Sequence, residues 1–150
     1  MPPEAIVAAA LVSFAVWWCI LIWAISWLTG WRVLARHYAL DGPFNGREHR
    51  FQRIQMGWGN YGGCVTIGTN ADGLYLAVML PFRPGHPPLF VPWGEVVSAE
   101  FVRKWYGSWL ELRFTAVPRV RVRLPERVGK LVAADANRSW VAPLDHPTPH

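Results

Sequence analysis

Only two cysteines occur in the 150 residues, Cys19 and Cys64. They lie far apart, and one sits inside an apolar run, so a disulfide framework is excluded and a reducing compartment suits the chain. The five histidines never stand in the close pairs that zinc coordination uses. The ten acidic residues are scattered, with no two placed for joint acid–base work. Ser98, Ser108 and Ser139 lack a G-x-S-x-G setting, and nothing beside Cys64 in the sequence activates its thiol. A core thiol is the commoner role for such a cysteine. These absences leave no basis for an enzyme, and no cofactor, metal or small-molecule substrate is expected.

Charge is missing altogether from Ala5 to Leu28, AIVAAALVSFAVWWCILIWAISWL. A helix over that run spans roughly 36 Å, enough to cross a hydrocarbon core of about 30 Å. The preceding Met-Pro-Pro-Glu has no Lys or Arg, and no A-x-A site follows, so an uncleaved anchor is expected rather than a signal peptide. Only Glu4 precedes the run, whereas Arg32, Arg36, Arg47, Arg50 and Arg53 follow it. The positive-inside rule then puts the N-terminus outside and the rest in the cytoplasm. The net charge of +5 suits a domain beside an anionic leaflet. Trp27 and Trp31, with Arg32 and Arg36, are placed at headgroup depth. Ala5, Ala9 and Ser13 form a small-residue stripe, and Trp17 and Trp23 add bulk, so these five are candidates for helix packing. No ionisable residue lies mid-membrane, so no transport path is expected.

Four regions follow from composition. Residues 1–30 form the anchor, and residues 31–45 a juxtamembrane connector in which the helix continues past Gly30 and stops before Gly42-Pro43. Residues 46–136 read as a compact domain of about seven short strands, Arg47–Met56, Cys64–Thr69, LYLAVML, LFVPW, Ala99–Tyr106, Trp109–Thr115 and PRVRVRL, followed by one helix from Pro125-Glu126. That helix places Val128, Leu131 and Val132 on one face. Residues 137–150 hold three prolines and no periodicity, and read as an extended or disordered tail.

Two stretches carry sharper questions. Gly57–Cys64, GWGNYGGC, fits G-x-G-x-x-G, but β-rich sequence follows it and βα alternation is missing. A dinucleotide fingerprint needs a strand before and a helix after, so the stretch reads instead as the connection between the first two strands. Arg119, Arg121 and Arg123 alternate with Val120, Val122 and Leu124, which puts three guanidinium groups on one face of a strand. That stripe is either a solvated face or a contact for lipid phosphates or an acidic partner. Nucleic acid is the weaker partner, because a membrane anchor supplies a nearer anion.

The stretch DGLYLAVMLPFRPGHPPLFVPWGEVVSAE, Asp72–Glu100, resembles bacterial pleckstrin-homology-like or GRAM-like domains. Gly73, Leu74, Tyr75, Leu76, Pro92, Trp93, Glu95 and Val96 carry the likeness. It implies a bent barrel of about seven antiparallel strands closed by a C-terminal helix, held at a bacterial inner membrane by one helix. In that pattern Gly73, Tyr75, Pro92, Trp93 and Glu95 define the fold: Pro92 ends strand pairing, Trp93 turns into the core, and Glu95 is placed to accept backbone amides. The resemblance implies a non-catalytic binding role, as an accessory subunit docked on an integral membrane protein or as a sensor of anionic lipids. Arg50 and Arg53 on the first strand match the basic positions of lipid-binding members, while the second strand has none. In those members the first connection enters the headgroup region. Here it carries Trp58 and Tyr61, which points to an aromatic contact with membrane or partner.

Overall fold

The computed structural model of the chain describes residues 2–57 and 59–136. The expected tail, 137–150, and Trp58 lie outside the described residues.

Helix α1 runs from Pro3 to Thr29, 27 residues, with Pro3 at its first turn and no internal glycine or proline to interrupt it. It is long and apolar enough to cross a membrane, and its most apolar window is almost wholly exposed. It ends at Gly30, which is left-handed at φ 96°. A Cβ on Gly30 would stand 2.9 Å from Val120, so both the backbone angle and the close approach require glycine. The helix therefore breaks at Gly30 instead of continuing through it. Helix α2, Trp31–Tyr38, starts on the far side of that break. Trp31, Leu34 and Tyr38 are buried and belong to the same core as the sheet, so α2 is part of the domain and not a connector to it.

Seven antiparallel strands follow: β1 (Arg47–Met56), β2 (Gly59–Thr69), β3 (Gly73–Val78), β4 (Leu89–Pro92), β5 (Val96–Lys104), β6 (Gly107–Phe114) and β7 (Val122–Pro125). Their order is β4-β3-β2-β1-β7-β6-β5, one curled half-barrel sheet. Helix α3, Glu126–Ala136, buries Val128, Val132 and Ala136 against it, while Leu131 faces outward. Gly129 lets α3 approach closely, since a Cβ there would lie 2.7 Å from Leu110. The inward residues of the strands, among them Ile54, Ile67, Leu76, Val91, Leu112 and Leu124, are fully buried. This is the architecture expected from the strand count and the change of period.

The residues of the GLYL…PW pattern act locally. A Cβ on Gly73 would run into the Val91 carbonyl, and Tyr75 stacks on Phe44 with ring centroids 4.4 Å apart. Pro92 ends β4, and a single turn, Trp93–Glu95, carries the Trp93 ring into the core with its Nε1 donating to the Asn70 carbonyl at 3.0 Å. The backbone carbonyl of Glu95, rather than its carboxylate, accepts the Thr115 amide at 2.8 Å. The strand expected over Pro118–Leu124 is shorter. Pro118–Val120 is a turn, and the ladder starts at Val122.

Candidate functional site

The end of α1 enters the domain core. Met56 pairs with Gly59 across a tight turn in which Gly57 has φ 55°. A Cβ on Gly57 would meet the Thr29 carbonyl at 2.5 Å, and one on Gly59 would collide with the Thr29 side chain. Gly57 and Gly59 of GWGNYGGC thus clear room for the last turn of the apolar helix.

Behind that turn lies a buried polar chain. His86 is 1% exposed, and its Nδ1 lies 2.9 Å from the Pro84 carbonyl. A carbonyl only accepts, so Nδ1 carries the proton and Nε2 accepts from the Tyr61 hydroxyl at 2.9 Å. The Tyr61 oxygen accepts in turn from Thr29 Oγ1 at 2.7 Å. Burial lowers the His86 pKa, and burial raises that of Tyr61 to about 12, so both are neutral near pH 7. The Trp31 ring packs on both, with centroids 5.3 Å from His86 and 5.6 Å from Tyr61, and its Nε1 donates to the Pro87 carbonyl. Two expectations are corrected here. Trp31 is fully buried, not a residue at headgroup depth, because α2 turns it inward at Gly30. Tyr61 is buried within β2 and is not a contact offered by a loop, because β2 begins at Gly59.

The loop from Leu80 to Pro87 lies along α1. Trp18 Nε1 donates to the Pro81 carbonyl at 2.5 Å, and the Trp18 and Phe82 rings are 5.6 Å apart. Farther down, Gly85 fits against Trp23 and Ser26. Ile22, Ser26 and Thr29 are buried by this packing, while Ala5, Ala9, Ser13, Trp17 and Trp23 remain exposed. Trp27 is exposed as well, with the guanidiniums of Arg32 and Arg36 at 5.7 and 5.2 Å from its ring.

The five arginines expected to contact lipid or a partner fall in two groups. Arg119, Arg121 and Arg123 line a cavity of about 270 Å³ with Gln55 and Gly57. They come together although two of them lie outside the strand. Their charge is partly met: buried Glu111 holds Arg123 at 3.0 Å and lies within 3.8 Å of Arg121 and 3.7 Å of Arg113. Arg50 and Arg53 are exposed on β1, and Arg50 lies 3.8 Å from Glu48.

Sequence reading missed the surface beside Arg50. A bulge interrupts the β1–β2 register between His49 and Gln52, and Phe51 within it has φ 58°. Phe51 is the one non-glycine residue at positive φ among the described residues, and it is 66% exposed. An exposed aromatic in a costly conformation marks a candidate contact. Phe51, Arg50 and Arg83 line a cavity of about 540 Å³ whose edge is Leu80-Pro81. The same Leu80-Pro81 borders an apolar cavity of about 510 Å³ against Phe14 and Trp18 of α1. The one hint in the sequence was an arginine set among apolar residues and prolines in LPFRPGHPP.

Among the described residues no group of three His, Cys, Asp or Glu is placed to hold a metal ion. Burial raises the Cys64 thiol pKa, which keeps it protonated and unreactive near pH 7. The arrangement offers surfaces and charges for binding. Compared with known protein families and with curated proteins, the chain matches none.

Proposed function

We propose that this chain is a non-catalytic, membrane-anchored binding protein, an accessory subunit of a larger membrane assembly with its barrel domain on the cytoplasmic face. The carrying observation is the join between α1 and the domain. A helix of 27 residues is about 40 Å long, some 10 Å more than a bilayer core. The surplus is the C-terminal end, where Ile22, Ser26 and Thr29 are packed on the domain. No slack segment separates anchor from core, so the domain is held in one pose. A fixed pose suits docking onto a neighbouring subunit better than reversible search along a surface. The exposed stripe of Ala5, Ala9 and Ser13 offers that neighbour a close approach. The pleckstrin-homology-like pattern of residues 72–100 supports a binding role, and the arginines after α1 support the cytoplasmic side. The Arg119/Arg121/Arg123 group supports a lipid-sensing role less strongly, because Glu111 already engages two of the three.

Purification in mild detergent with mass spectrometry tests this. A stoichiometric membrane partner is expected, released by Ala9→Leu and Ser13→Leu together. A lone monomer at every detergent strength overturns the reading.

A further inference from the structure

We infer that the groove between β1, the Leu80 loop and α1 holds one anionic phospholipid, its phosphodiester on Arg50 and Arg83 and an acyl chain against Leu80, Trp18 and Phe14. This rests on α1 spanning the membrane, as in the reading above, but not on the presence of a protein partner.

Depth is the first argument. If Pro3–Ile22 fills the hydrocarbon layer, Trp18 lies about 6 Å inside its inner edge at 1.5 Å per residue. The Pro81 carbonyl is bonded to Trp18, so the tip of the loop reaches the same depth. Gly85 lies against Trp23 and Ser26. Arg83 falls between Pro81 and Gly85, which places it near the edge of the hydrocarbon layer, where lipid phosphates begin.

Continuity is the second argument. The apolar cavity at Phe14 and Trp18 and the cavity that holds Arg50 and Arg83 share Leu80 and Pro81 as a common border. Leu80 is 76% exposed and continues the apolar surface of α1. One molecule with a tail and a charged head spans both.

Charge is the third. Arg83 Nε donates to the Val78 carbonyl at 3.2 Å, and Arg83 lines the same cavity as Arg50. Glu48 lines the same cavity beside Arg50. Two cations and one carboxylate leave one positive charge, which a single phosphodiester anion balances. A zwitterionic headgroup would instead bring a cation that needs Glu48. Phe51, exposed at the bulge, lines the same cavity as the two arginines.

The test is native mass spectrometry of the full chain in detergent with phosphatidylglycerol, phosphatidylethanolamine or phosphatidylcholine added. One phosphatidylglycerol is expected to be retained in preference to the other two. Arg50→Gln and Arg83→Gln should each weaken retention about fivefold, the factor for about 1 kcal/mol per basic residue at an anionic surface. Glu48→Gln should strengthen it, and Arg119→Gln should leave it unchanged. Arg50 is exposed, so its variant folds, and a melting curve checks the Arg83 variant. Equal retention of the three lipids, weakening by Glu48→Gln, or indifference to both arginine variants overturns the inference. Extraction of the chain from membranes by carbonate would instead overturn the anchored reading beneath it.

Discussion

The hydroxyl of Tyr61 lies 2.7 Å from Thr29 Oγ1, so the second strand of the sheet is bonded to the last turn of the apolar helix. The same hydroxyl serves His86 Nε2. Tyr61→Phe keeps the ring and removes both bonds, which leaves buried His86 Nε2 without a partner and Thr29 Oγ1 with the Trp31 amide at 3.5 Å. A loss of about 1–3 kcal/mol is expected. Chemical denaturation of the full chain in detergent, followed by tryptophan fluorescence, measures it.

Burial depresses the His86 pKa below its ordinary 6.5. A depressed base binds fewer protons folded than unfolded. Its contribution is fully present above pH 6.5 and is lost as pH falls through the lower folded value. Wild type should therefore lose stability from pH 6.5 downward more steeply than His86→Asn, which has no such proton to bind. Parallel slopes for the two proteins would contradict the assignment.

Gly30 and Gly42 share nearly the same backbone angle, φ 96° and 91°, but only Gly30 is crowded. Gly42→Ala should cost about 1 kcal/mol, the left-handed penalty alone. Gly30→Ala should cost about 1–3 kcal/mol more, because its Cβ meets Val120. Thermal melts of the two variants isolate the packing of the α1–α2 joint.

Glu111 is buried among three arginines and bonded to Arg123. Glu111→Gln should destabilise by about 1–2 kcal/mol, reduced from the buried limit by the exposure of the arginines. Raising salt should narrow the gap between variant and wild type.

Phe51→Gly removes an unfavourable backbone state worth about 1–2 kcal/mol. The variant should be as stable as wild type or more so, since the lost ring is mostly exposed. A melting temperature well below wild type would show that the ring packs more tightly than its exposure indicates.

Much of the fold was legible in the residues. Pro125-Glu126 opened α3 as expected, and LYLAVML after the Asp72-Gly73 turn was expected as a strand, which β3 fills from Gly73 to Val78. Val120, Val122 and Leu124 are buried and Arg119 and Arg121 exposed, although only part of that alternation is ladder. The placements of Trp31 and Tyr61 failed for different reasons. Trp31 was read by distance along the chain from the apolar run, and the turn at Gly30 folds that distance back into the core. Tyr61 was read as part of the connection between the first two strands, but β2 already begins at Gly59 and buries it. Arg83, Phe51 and Trp18 carried no periodic signal, because the cavities they line adjoin only where the Leu80 loop crosses a helix, with Pro81 bonded to Trp18 63 residues away.

The sequence by itself determined what local chemistry decides: an uncharged run long enough to cross a membrane, strands set by alternation and turns, and a closing helix set by a change of period. Tertiary structure decided how anchor and domain meet. Whether Trp31 faces lipid or core, why Gly57 and Gly59 carry no side chain, and which arginine stands beside which apolar surface are questions of contact between distant segments. The first of these turns on one left-handed residue, Gly30, packed closely against Val120, and the others on strands and loops that meet the helix from far along the chain.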